Sequence, residues 1–241
     1  MKNSLVVAVS VICFLAIAYF TFPFGSGGPI KGSQKIYERY PGNYVASPEW
    51  PQTADEMVPI YPDNSPVPLF SIDRYEATIA GGRAWSVQGL RPTTRLPFSE
   101  AREACRNAGK RMCTLIEWQT ACRGGSTHPV SFSNPKKLLE ICDFARSGGY
   151  DSTDYVNKNN SHPECSLPGL KIHHMKGNIS EFVVVPDGQF AVVGLTYYDQ
   201  RISDKEYAME YACERVVAQP GMYPEDRFNE GLGFRCCRDG G

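Results

Sequence analysis

Apolar residues recur at helical spacing in the middle of the chain, between Phe98 and Gly125. Ser99 precedes the first of these positions and is the expected N-cap, while Gly109 can end the helix in the left-handed conformation. The side chains that this helix would turn towards a core belong to Ala101, Ala104 and Cys105. The pattern therefore predicts a short amphipathic helix that stops at Gly109.

A second helix is predicted directly after Thr114. Glu117 lies three residues further on, so the segment Thr114-x-x-Glu117 matches a capping box. The bulky or apolar positions of this helix are Ile116, Trp118 and Ala121. Because Cys105 and Cys122 flank the two helices, the pattern indicates a helical hairpin pinned by cysteines.

Extended segments are predicted on both sides of this hairpin. Leu69–Ile79 has the character of a strand that opens the core, and the polar residues expected at its rim are Asp73, Arg74 and Glu76. Phe190–Tyr198 is the strongest later strand, and Gly233–Cys237 is expected to close the sheet. Residues 126–168 are rich in Gly, Asn, Ser and Asp, so this long stretch is predicted to be irregular.

The N-terminal segment, residues 1–24, carries one uncharged apolar run from Leu5 to Phe24. Twenty helical residues reach about 30 Å, enough to cross a bilayer, so the run predicts a signal anchor. A signal peptide cleaved after Ala18 is the alternative, and the chain would then be secreted. Residues 25–66 are rich in Gly and Pro and are predicted to be a linker, followed by one domain at 67–241.

Charge and cysteine content narrow the class of protein. The net charge is −1 and no basic run with interleaved aromatic residues occurs, so a nucleic-acid partner is not expected. Eight of the nine cysteines follow the N-terminal segment, an even number that suggests disulfides in an exported chain. No Cys-x-x-Cys pair is present, and because such pairs are typical of structural zinc sites, a zinc site is not expected.

Four ordered segments resemble a known family. FSEAREACRNAGKRMCTLIEWQTACRGG (98–125), FSIDRYEAT (70–78), GNISEF (177–182) and GLGFRCCR (231–238) are similar to motifs of the formylglycine-generating enzymes, also called sulfatase-modifying factors. The resemblance covers roughly residues 67–241. It implies an α+β, C-type-lectin-like fold with much irregular structure, held together by disulfides.

The resemblance also implies two disulfides, Cys105–Cys236 and Cys122–Cys213. Four exported cysteines are left over, and we pair them as Cys142–Cys165 and Cys113–Cys237. The last pairing fits a strand geometry, because adjacent residues of a strand point to opposite faces and should find different partners.

Catalysis in the resembled family depends on two cysteines that bind copper and oxidise a substrate cysteine with oxygen. The matching positions here are Asp199 and Asp204. Copper(I) prefers soft thiolates to carboxylates, so copper is not expected. The related iron enzymes use a His-x-x-x-His-x-Glu arrangement, which none of the four histidines (His128, His162, His173 and His174) forms. Because these metal ligands are missing from the matching positions, we expect a pseudo-enzyme rather than an active enzyme.

The resemblance also implies one possible cofactor, a structural calcium ion. The family's loop donates two backbone carbonyls and one carboxylate, which correspond here to Gly177, Ile179 and Glu181. The fourth ligand position is His174, and imidazole is a poor ligand for this hard cation. The alternative for Glu181 is a buried carboxylate paired with Arg235.

The family's peptide groove would carry, in this chain, Trp85, Tyr197, Tyr198, Asp199, Arg201 and Asp204. Aromatic residues with mixed charge suit recognition of a protein, peptide or glycan, although a Tyr-rich strand is equally an ordinary core strand. We expect a membrane-tethered, extracytoplasmic binding or scaffold domain. The alternatives are a metal- and oxygen-dependent oxidoreductase with altered ligands and a structural subunit of an envelope assembly.

Overall fold

The computed structural model describes residues 54–62, 65–125, 142, 165–167, 169–195, 212–218 and 231–240. Its elements in chain order are β1 (Met57–Ile60), β2 (Phe70–Asp73), β3 (Thr78–Ala80), β4 (Arg83–Trp85), α1 (Phe98–Asn107), β5 (Arg111–Met112), α2 (Leu115–Cys122), β6 (Ser180–Val184), β7 (Phe190–Val193), β8 (Val216–Ala218), β9 (Leu232–Phe234) and β10 (Cys236–Asp239). Neither helix in this part of the chain is long and apolar enough to span a bilayer. The predicted anchor, residues 1–24, lies outside the described residues.

Helix α1 is amphipathic as predicted, but it begins earlier than expected. Its N-cap is Pro97, whose extended backbone (φ −70°, ψ 154°) places its carbonyl to accept from the Ala101 N–H. Ser99 already lies inside the first turn, so its predicted role as N-cap is wrong. Proline fixes φ in the range that the chain needs on entering the helix, and no side chain caps this end. Gly109 follows the helix with φ 69°, as its predicted role as helix stop requires.

Helix α2 has the predicted capping box. The Thr114 hydroxyl accepts from the Glu117 N–H, and the Glu117 carboxylate accepts from the Thr114 N–H at 2.9 Å. Trp118 and Ala121 are buried, whereas Ile116, the third of the bulky or apolar positions, is 69% exposed. Ile116 precedes Trp118 by two residues, and residues two apart on a helix point to different sides.

The first sheet has the order β1-β2-β10-β5, with all neighbours antiparallel. The predicted strand at Leu69–Ile79 is interrupted, because β2 ends at Asp73 and β3 starts at Thr78. Between these two strands the backbone N–H groups do not pair with a neighbouring strand of the first sheet. The Tyr75 N–H donates to the Ser86 hydroxyl, and the Ala77 N–H donates to the Phe234 carbonyl. Asp73 and Glu76 are completely buried, so their expected place at a rim is wrong.

Strand β1 lies within residues 25–66, the stretch predicted to be a linker. Val58 and Ile60 are buried against the core, which extends the folded domain towards the N-terminus. Pro59 is compatible with this strand because β1 lies at the edge of its sheet, where one side makes no ladder. Proline content alone therefore misplaced the domain boundary.

The second large sheet, in the order β8-β7-β6-β9, separates two hydrophobic clusters. Val183 and Val193 join a cluster formed with the first sheet and α2. Phe182 and Phe190, which alternate with them, join a cluster formed with α1 and the β3–β4 hairpin. The predicted final strand Gly233–Cys237 is split at Arg235, with β9 in the second large sheet and β10 in the first.

Candidate functional site

Three of the four disulfides tie the helical hairpin to the C-terminal part of the domain, and the fourth closes a loop within the irregular region. They are Cys105–Cys236, Cys113–Cys237, Cys122–Cys213 and Cys142–Cys165, the pairings expected from the sequence. Adjacent Cys236 and Cys237 reach different partners, as opposite faces of β10 require. These bonds use all eight cysteines after residue 13, and such a pattern is typical of an oxidising compartment outside the cytoplasm.

The predicted groove is described only at Trp85. Its indole N–H donates to the Ala80 carbonyl at 3.2 Å, and the Arg83 guanidinium lies 5.0 Å from the ring centroid. The remaining groove positions lie outside the described residues: Tyr197, Tyr198, Asp199, Arg201 and Asp204.

Glu181, one of the predicted calcium ligands, lies on β6 and is buried. Its Oε1 accepts from the Arg235 Nε–H at 2.7 Å, and its Oε2 accepts from the Trp118 indole N–H at 2.7 Å. Burial raises the pKa of this carboxyl, and the adjacent Arg235 charge opposes the rise. The pairing of Glu181 with Arg235, which the sequence offered as the alternative to calcium, is present.

A second buried carboxylate lies close to the first. Glu76 accepts from the Asn178 side-chain amide at 2.6 Å, and its Oε2 lies 3.3 Å from His174 Nδ1. His174 and Asn178 both have positive φ, 60° and 63°, so the segment that presents them is tightly turned. Loop 174–178 is therefore held at both ends by contacts with Glu76.

The arrangement around Glu181 does not fit the calcium role that the resemblance implied. The carboxylate is the only charged donor in the set Gly177, Ile179 and Glu181, and both of its oxygens already accept hydrogen bonds. The Gly177 carbonyl accepts from the Ile179 N–H at 2.9 Å. His174 turns its Nδ1 to Glu76 rather than to this set. These contacts disfavour calcium at this set, and the predicted calcium site stays a prediction.

The histidines form no metal centre within the described part of the chain. His173 and His174 are adjacent, but their rings are 6.4 Å apart and nearly perpendicular. Burial, and then the nearby His174, lower the pKa of His173 to about 4. No group of three or more His, Cys, Asp or Glu side chains among these residues is placed to hold a metal. His128 and His162 lie outside this part of the chain.

One buried ionic cluster was not predicted from the sequence. The Lys110 ammonium has no exposed side-chain surface and contacts Asp73 at 2.6 Å and Asp55 at 2.7 Å. Asp73 also accepts from the Cys236 N–H at 2.8 Å. The only sequence signal was a lysine directly after the helix-stopping Gly109, in a position where a surface charge would be equally ordinary.

Solved structures with a similar arrangement of elements are distant in sequence. CarF is 17% identical, with 77% of this chain and 94% of CarF covered and a TM-score of 0.44. PvdO from Pseudomonas aeruginosa is 15% identical, with 77% and 91% covered and a TM-score of 0.41. Treponema denticola variable protein 1 is 12% identical, with 77% and 92% covered and a TM-score of 0.45. Likenesses this distant say nothing about activity or partner.

No curated protein matches the chain in sequence. The family model described as the sulfatase-modifying factor enzyme 1-like domain matches residues 76–240, more than half of the chain. That range contains both helices, eight of the strands described above and all eight cysteines of the four disulfides. The chain therefore belongs to the sulfatase-modifying factor enzyme 1-like domain family.

Proposed function

We propose that this chain is a binding or scaffold domain of the sulfatase-modifying factor family that has lost the family's copper–thiolate chemistry. The observation that carries the proposal is the use of its cysteines. Eight of nine are joined in disulfides, which leaves only Cys13, within the N-terminal apolar segment. A disulfide sulfur is not a thiolate and cannot serve as the copper ligand.

The sequence at the family's thiol positions supports the same proposal. Asp199 and Asp204 offer hard carboxylate oxygens where copper(I) requires sulfur. The buried acids that the structure describes do not replace them, because Glu181 and Asp73 pair internally with Arg235 and Lys110, and Glu76 accepts from the Asn178 amide. The domain has charged groups in its core, but they hold its segments together.

The proposed partner is a protein, a peptide or a glycan. Tyr197 and Tyr198 next to Asp199 and Arg201 combine aromatic surface with both charges, a composition that suits such recognition. Trp85 with Arg83 stacked near its ring adds a half-buried aromatic group of the same kind. The apolar run in residues 1–24 is proposed to tether the domain to the outer face of a membrane.

The experiment compares the chain with a variant in which the two thiols are restored. The purified full chain is incubated with copper(I), oxygen and a cysteine-containing peptide, and the peptide is examined by mass spectrometry for conversion of cysteine to aldehyde. We expect no conversion by the wild type and no copper retained after gel filtration. Asp199→Cys/Asp204→Cys provides the comparison, with copper retention as its readout. Conversion of the peptide by the wild-type chain would overturn the proposal.

A further inference from the structure

Arg235 is completely buried in a cage of oxygen atoms between β9 and β10. Its Nε–H donates to the Glu181 carboxylate at 2.7 Å, and its Nη1 donates to the carbonyls of Asp73 at 3.2 Å and Arg74 at 3.0 Å. Its Nη2 donates to the carbonyl of His173. One carboxylate and three carbonyls from three separate segments therefore converge on this guanidinium.

Such a donor set is what a hard cation would otherwise require. Backbone carbonyls and a carboxylate are the usual ligands of calcium in proteins. A guanidinium can serve the same oxygens because its N–H groups form a fixed planar fork with several directions of donation. The cage is thus already occupied by a cation that is part of the chain.

We propose that Arg235 performs in this chain the structural task of a bound divalent cation, so that the loop 174–178 is held in place without metal. The guanidinium joins the end of β2 to His173, which directly precedes that loop, and to β6, which follows it. A calcium ion at Glu181 would displace Arg235 from its counter-ion and leave a buried charge unpaired. That arrangement is strongly destabilising, so the internal cation excludes the external one.

The first test measures the thermal unfolding midpoint of the full chain in saturating calcium and in excess chelator. The two midpoints are expected to coincide, and elemental analysis is expected to find no stoichiometric calcium. A calcium ion present at a hundred times its Kd would shift the midpoint by roughly 5–10 °C in a domain of this size. A chelator-induced fall of that size, restored by calcium, would overturn the proposal.

The second test replaces the guanidinium fork without removing its charge. Arg235→Lys is expected to lower the midpoint by roughly 5–10 °C, because one ammonium cannot reach the carboxylate and the separate carbonyls together. Arg238→Lys is the matched control, since Arg238 lies three residues further along and is exposed. Equal midpoints for Arg235→Lys and the wild type would show that the fork does not hold these segments. If Arg235→Lys failed to fold, the calcium measurement on the wild type would decide the question alone.

Discussion

Replacing Lys110 by methionine should strongly destabilise the domain. The Lys110 ammonium has no exposed surface and lies 2.6 Å from Asp73, which is equally buried. Methionine fills similar space but leaves that carboxylate without its counter-ion, and breaking a buried pair in this way costs about 3–5 kcal/mol. With about 2–4 °C per kcal/mol for a domain of this size, the midpoint should fall by roughly 6–20 °C.

The stability that Lys110→Met loses relative to the wild type should depend on pH in a defined direction. Burial raises the pKa of Asp73 from 3.8 to about 6, with Lys110 opposing the rise. A carboxyl whose folded pKa is raised contributes stability that is fully present below its unfolded pKa and is lost as pH rises through its folded pKa. Without Lys110 this carboxyl prefers its neutral form even more, so Lys110→Met should lose less stability near pH 5 than near pH 8.

Circular dichroism during heating, at about pH 5 and about pH 8, measures both effects. Lys171→Met is the control, because it makes the same substitution at an exposed position. Its midpoint should match the wild type at both pH values. A Lys110→Met protein as stable as the wild type near pH 8, or one that loses more near pH 5, would refute the assignment of this buried pair.

Three further substitutions test other parts of the structure. Thr114→Ala removes the capping hydroxyl of α2 and should cost about 1 kcal/mol in urea unfolding, whereas Thr114→Ser should be neutral. Trp118→Phe leaves one buried oxygen of Glu181 without its donor and should cost about 1–3 kcal/mol in the same assay; an unchanged midpoint would contradict the contact. Gly177→Ala places a Cβ 2.6 Å from the carbonyl oxygen of Cys142, so we expect a loss of about 1–3 kcal/mol by calorimetry, and a neutral outcome would contradict this close approach.

Features with a local signal were predictable from the sequence. The capping box of Thr114 and Glu117 needs only four consecutive residues, and Gly109 marks the helix end by its own backbone freedom. Resemblance to the family added the disulfide framework and drew attention to Glu181 and Arg235, which lie 54 residues apart but are in contact. Motif order carried that information, because spacing alone does not show which distant segments meet.

Features that depend on distant partners were not predictable. The strand expected at Leu69–Ile79 breaks because the N–H groups after Asp73 are taken by partners such as Phe234, which comes more than 150 residues later. Asp73 is a charged residue that the sequence alone places at a rim, and it is buried because Lys110 and the Cys236 N–H, both distant in sequence, pair with it. β1 was missed because it contains Pro59, a residue that an edge strand tolerates and an inner strand does not.

Counting the free thiols of the chain tests directly whether any thiol is left in the domain to bind copper. The full chain is denatured without reductant and titrated with a thiol reagent. Nine cysteines less the eight in disulfides leave one, and we expect this thiol to be Cys13. Two further thiols that map to residues after Cys13 would supply the pair that copper needs, and would show that the copper chemistry has not been lost.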